Sequence, residues 1–242
     1  MSSAEKTVRT WLITGANRGI GLEFVRQLLS DQSNVVLATC RNPDAATDLK
    51  ALGKAAQGQL HVFALDTADS TSISSAPEHA RAALGERGLD YLLCNAAVNL
   101  GSDDSVMEMS AEDMTRSFAV NVVGPALLAQ AFEPLLERPG ARGVIMNMSS
   151  GLGSIGLDCG PKCPSYSITK AALNMLAYKQ AKEKPSLISF VIDPGWVKTE
   201  MGGEGAVLEP EESVGGLLKV LKSADKSTSG KFLRYTGEEL PW

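Results

Sequence analysis

Seven short runs rich in valine, isoleucine and leucine, each followed by a helical or polar stretch, govern what this chain can fold into. They are Val8–Thr14, Asn34–Cys40, Leu60–Leu65, Leu89–Asn95, Val144–Met148, Leu187–Ile192 and Lys231–Tyr235. Polar residues do not alternate along them as they would on a sheet with one wet face, so both faces are expected to be covered by helices. Helical stretches fall between them. Gly19–Ser30 carries Ile20, Phe24, Val25 and Leu28 on one side, and a polar helix lies near Pro43–Lys54. Ser70–Leu84 follows despite Pro77, and Ala111–Arg138 is long and must accommodate Pro125 and Pro134. Ser165–Lys184 and Pro210–Ser223 complete the set. Strand–helix alternation over the whole length predicts an α/β fold with a doubly wound parallel sheet. Nothing reads as a linker, repeat or low-complexity tract, so residues 1–242 are expected to form a single domain.

Composition narrows the partners. The chain is 44% hydrophobic and 21% charged, enough to bury a sizeable core. Its net charge is −5 and its lysines and arginines are scattered, which argues against nucleic acid. No apolar run reaches the length of a bilayer span, and Met1–Thr10 is too short and polar for a secretory signal. Cys40, Cys94, Cys159 and Cys163 do not make a secreted disulfide framework at this length. Cys159 and Cys163 lie close together, but a zinc or redox site needs more ligands, and His61 and His79 are far off in sequence. Free thiols, no metal and a cytoplasmic setting are the expectation.

Thr14-Gly15-Ala16-Asn17-Arg18-Gly19-Ile20-Gly21 lies between the first strand and the first helix. A dinucleotide-binding fold needs glycines there: to turn tightly, to let backbone approach a pyrophosphate, and to seat the helix on the strand. The helix N-terminus then offers free N–H groups to phosphate. An ordinary turn is the plainer alternative, but position and neighbours favour the cofactor. The second strand ends Leu37-Ala38-Thr39-Cys40-Arg41-Asn42, without the acid that usually bonds the ribose hydroxyl of NAD. Arg41, with Arg18 from the glycine turn, is placed to meet a 2′-phosphate, so NADP(H) is preferred over NAD(H).

Tyr166-Ser167-Ile168-Thr169-Lys170 sets a phenol and an ammonium one helical turn apart on one face. A nearby cation is expected to lower the phenol's pKa toward the working range of an acid–base group. Alone, such spacing usually marks a solvated helix face. Two neighbouring segments change its weight. Asn147-Met148-Ser149-Ser150-Gly151 closes the fifth strand, and Asp193-Pro194-Gly195-Trp196-Val197-Lys198-Thr199 the sixth, both at the carboxyl edge where open α/β sheets bind ligands.

These segments, in this order from end to end, resemble the short-chain dehydrogenase/reductase family. The run from Asp193 to Gly203 and the terminal Gly230–Trp242 are similar to the C-factor and sniffer-like carbonyl reductases and to fungal ketoreductases. The resemblance implies a Rossmann-type NADP(H) enzyme that reduces a ketone, aldehyde or quinone to the alcohol. It implies Tyr166 as general acid, Lys170 on the nicotinamide ribose, Ser150 orienting the substrate oxygen (Ser149 being the runner-up), and Asn121 in the proton relay. Cofactor contacts would come from Gly15, Asn17, Arg18, Gly19, Ile20, Gly21, Arg41, Asp66, Asn95, Ala96, Tyr166, Lys170, Val197 and Thr199. Leu152, Ile155, Leu157, Trp196 and Met201 are candidate walls of a substrate pocket, or equally core. A small-molecule carbonyl substrate and a homodimer or homotetramer, paired through the Ala111–Arg138 and Ser165–Lys184 helices, are the implied partners. A cofactor-binding sensor or signalling protein with little turnover is the alternative on the same fold. The chain departs from the family pattern at Cys94 and Ala97, and in the length of the Ser150–Tyr166 segment.

Overall fold

The computed structural model describes residues 7–101 and 105–242; the first six residues of the polar N-terminal stretch lie outside it. Seven parallel strands form one sheet in the order β3-β2-β1-β4-β5-β6-β7. They are β1 (Arg9–Thr14), β2 (Asn34–Cys40), β3 (Gln59–Ala64), β4 (Tyr91–Cys94), β5 (Val144–Met148), β6 (Ile188–Asp193) and β7 (Phe232–Arg234). Helices α1 (Gly19–Leu28), α2 (Thr47–Ala55) and α7 (Pro210–Ser223) contribute to one of the two large apolar clusters, with Trp11, Phe24, Leu217 and Phe190. Helices α3 (Ser70–Leu84) and α5 (Gly124–Leu136) help form the other, with Leu12, Leu92 and Phe132. Chain order reverses between β1 and β4, and ligands bind in the crevice beyond such a reversal. The sheet, its helices and its direction are as the apolar runs predict.

Three details differ. The helix expected over Ala111–Arg138 is not uniform: α4 (Ala111–Phe118) passes through a wider turn at Ala119–Val123 before α5 begins. Pro125 falls in the first turn of α5, where its missing N–H costs least, and the wide turn absorbs the mismatch. The polar helix near Pro43 starts later, at Thr47, because Asn42 caps a separate short turn at Pro43–Ala45. The third correction concerns the membrane. Ala111–Leu136 is, by length and composition, long and apolar enough to cross a bilayer, contrary to the expectation that no run reaches that length. Its buried positions, Ser117, Asn121, Leu128 and Phe132 among them, face the protein, and α5 packs on α3.

The last helix before the carboxyl edge of β6, α6 (Pro164–Glu183), carries Tyr166 and Lys170. It packs on β6, on the short turn Gly151–Gly153 after β5, and on the wide turn before α5. Those contacts bring the catalytic candidates to one edge.

Candidate active site

The glycine turn is built by close backbone approach. A methyl at Gly21 would stand 2.2 Å from the Gly15 carbonyl oxygen, and one at Gly15 would stand 3.0 Å from Ala96 Cα. Gly15 also has φ +65°, which favours glycine. Thr14 and Asn95 tie the turn to β4. Thr14 Oγ1 accepts from the Asn95 and Ala96 N–H groups, each at 3.0 Å, while Asn95 Nδ2 donates to the Thr14 carbonyl at 2.8 Å. Helix α1 opens at Gly19 with no side-chain cap and no acid in its first turn. Its first N–H groups are left for an anion, which fits a pyrophosphate.

Of the two arginines, Arg41 is exposed beyond β2 with no charged partner among the described residues. Arg18 is paired with Glu200, which lies far from it in sequence and is not among the expected site residues. Asp66 lies past the end of β3, its carboxylate accepting from the Ala68 N–H at 2.9 Å. Asn17 is exposed, Ile20 is half-buried against the core, and Thr199 touches the space a Gly19 methyl would fill. Val197 is buried and bridges Leu208 across the short segment that follows β6. All of these lie on or next to the carboxyl edge of the sheet.

At the other side of the crevice, burial sets the chemistry. Lys170 is fully buried and donates to the Met148 carbonyl at 2.7 Å; burial pulls its pKa down to about 7. Its ammonium lies 5.2 Å from the Tyr166 ring centroid. The expected lowering of Tyr166 is reversed. Burial pushes the phenol up, and the charges of Asp193 and then Cys163 push the same way. Taking the phenol out of water disfavours the phenolate, and that outweighs the nearby lysine. Cys94, at the end of β4, is pushed up to about 12 by burial and stays a thiol.

The two serines separate cleanly. Ser149 is buried and donates to Asn174 Oδ1, a partner spacing could not reveal. Ser150 is half-buried, and its Oγ accepts only the 3.2 Å N–H of Leu152, so it retains a proton to donate. Asn121 is fully buried in the wide turn. Its Oδ1 accepts from the Val98 N–H at 2.9 Å, and its Nδ2 donates to the Val98 carbonyl at 2.8 Å and Thr169 Oγ1 at 3.0 Å. Its side chain thereby joins the loop after β4 to α6.

The candidate pocket walls divide. Leu157 packs with Leu173, Phe232 and Leu240 in a small third cluster, while Leu152 is half-buried. Ile155, Trp196 and Met201 are exposed. Trp196 is held by its Nε1, which donates to the Gly202 carbonyl at 2.7 Å, and a methyl at Gly205 would strike its ring at 2.4 Å.

Residues 9–206 match the short chain dehydrogenase family. The chain belongs to this family. Among solved members, it is 36% identical to the NADPH-bound carbonyl reductase from chicken fatty liver, with a TM-score of 0.90 over 98% of this chain and 96% of that one. The carbonyl reductase Sniffer of D. melanogaster is 28% identical, with a TM-score of 0.91 over 97% of this chain and all of that one (100%). The norsolorinic acid ketoreductase nor1 of Dothistroma septosporum is 35% identical over 251 residues, spanning 96% of this chain and 92% of that protein. As a short-chain dehydrogenase, this chain is an oxidoreductase with the family's doubly wound sheet.

Proposed function

We propose that this chain is one NADP(H)-dependent carbonyl reductase domain that turns a ketone, aldehyde or quinone into the alcohol. The observation that carries the reading is the convergence of Ser150, Tyr166 and Lys170 at the carboxyl edge, across the crevice from an uncapped helix N-terminus. The glycine cradle and the α1 N–H groups would hold the pyrophosphate, and Arg41 the 2′-phosphate; Arg18 joins it by exchanging Glu200. Bound NADPH supplies the hydride. Ser150 Oγ donates to the substrate carbonyl and fixes its orientation. Tyr166, held protonated by its surroundings, gives its proton to the oxygen as negative charge develops there. Lys170, anchored on Met148, lies beside the resulting phenolate and stabilises it when protonated. Asn121 and Thr169 keep α6 in register with the loop after β4.

The NADPH-bound chicken relative, and the fungal relative named for ketone reduction, support the cofactor and reaction. Ile155, Trp196 and Met201 are exposed, and as pocket walls they would form an open apolar rim suited to bulky, aromatic carbonyls. Four free cysteines, two of them buried, accord with a cytoplasmic setting. The test is to follow loss of nicotinamide absorbance with NADPH and with NADH against aromatic ketones, aldehydes and quinones. Turnover preferring NADPH is expected; binding of NADPH with no turnover on any of them would favour the sensor alternative.

A further inference from the structure

The run Gly230–Trp242, which the reduction described above leaves without a role, folds back on the candidate site. After β7 the chain turns at Gly237, whose N–H donates to the Arg234 carbonyl at 2.8 Å, and Glu239 bridges Leu233 antiparallel. The Leu240 N–H donates to the Phe232 carbonyl at 2.8 Å, and its side chain is buried with Leu157, Leu173 and Phe232. Pro241 and Trp242 then reach the loop that follows the Gly151–Gly153 turn. Ser154 Oγ donates to the Pro241 carbonyl at 2.7 Å while accepting from the Leu157 N–H at 3.1 Å. The Gly156 N–H donates to the Trp242 main-chain oxygen at 3.0 Å. The Trp242 ring stacks on Phe232, with centroids 5.8 Å apart, and meets Tyr178 of α6 edge-on at 6.3 Å.

The residues after β5 therefore have two separate anchors. The turn beside Ser150 is held by α6: Asn174 Nδ2 donates to the Gly153 carbonyl at 3.2 Å, and a methyl at Gly153 would stand 2.8 Å from the Lys170 backbone. The loop Ser154–Leu157, which exposes Ile155, is held by Pro241 and Trp242. The fit is close, since a methyl at Gly156 would stand 2.8 Å from Pro241 Cβ. We propose that Trp242 is a specificity-determining residue: seated on Phe232 and Tyr178, it straps the Ser154–Leu157 loop and fixes the Ile155 rim against which a bulky substrate rests. The effect on substrates rests on the proposed reductase reading, whereas the strap itself rests on the bonds just given. A rim contact holds the bound and the reacting substrate alike, so loosening it raises KM and spares kcat. A short aliphatic aldehyde presents little surface beyond its carbonyl and loses little.

Three variants test this: Trp242→Ala; Gly156→Ala, which pushes loop and strap apart from the other side; and Trp242→Phe, which keeps an aromatic ring. Residue-resolved amide exchange in Trp242→Ala should run about tenfold faster at Gly156 and Leu157, and at the wild-type rate at Gly153 and Ser154. With NADPH, Trp242→Ala and Gly156→Ala should each raise KM for a bulky aromatic ketone about tenfold. KM for a short aliphatic aldehyde, and kcat for both compounds, should stay within about twofold. Trp242→Phe should restore wild-type values. A merely structural role would lower kcat for both compounds together and speed exchange at all four amides. That outcome, unchanged exchange at Gly156, or an equal change in KM for the two compounds overturns the proposal. If the wild type reduces neither compound, the reductase reading fails, while the exchange pattern still decides whether Trp242 holds the loop.

Discussion

The two sides of the crevice are built on different principles. On the β1–α1–β2 side, recognition comes from backbone: glycines that let strands and helix approach, and N–H groups left open at a helix start. On the β5–α6–β6 side, it comes from ionisable side chains taken out of water: Lys170 and Asp193 are buried, and Tyr166 is shifted by burial before any other cause. A backbone site tolerates almost no added atoms but is indifferent to pH. A buried-charge site tolerates shape-conserving changes but answers to every proton.

The largest break is expected on the backbone side. Gly21→Ala places a methyl 2.2 Å from the Gly15 carbonyl oxygen, so α1 must shift from the pyrophosphate site. NADPH affinity, measured by fluorescence titration, should fall about a hundredfold. Arg41→Ala comes next. It removes one charge-assisted contact, so NADPH affinity should fall about tenfold while NADH affinity stays within about twofold. Equal losses for both cofactors would place Arg41 outside the phosphate site.

The smallest expected effect sharpens the other side. Lys170 titrates at about 7 in the folded chain against an ordinary 10.5. Between those values the unfolded chain binds the extra proton, so the lysine's contribution to stability rises with pH across that window. Lys170→Met removes this dependence. Its Tm relative to wild type, in cofactor-free protein, should be higher by a few degrees at about pH 6 and lose most of that advantage by about pH 10. A constant difference would mean that Lys170 stays charged when buried.

How much could be read beforehand follows the same division. The glycine turn, the missing acid after β2 and the seven apolar runs are local patterns, and each fell where its spacing placed it. Lys170 was legible as a neighbour of Tyr166, but the sign of the effect on the phenol was not, because burial is decided by β5, β6 and α6 together. Thr14, Asn174, Thr169 and Glu200 were missed for a related reason: each acts through a partner at least 25 residues away, and common polar residues give no local signal. Pro125 did mark trouble in the long helix. Only the folded chain shows that the answer is a wide turn holding Asn121.

The most direct test of the account pairs two readings on one variant, Tyr166→Phe: NADPH binding by titration, and single-turnover reduction of an aromatic ketone that the wild type accepts. The account predicts binding within about twofold of wild type and reduction slowed by about a thousandfold. Reduction at the wild-type rate with NADPH still bound would contradict it.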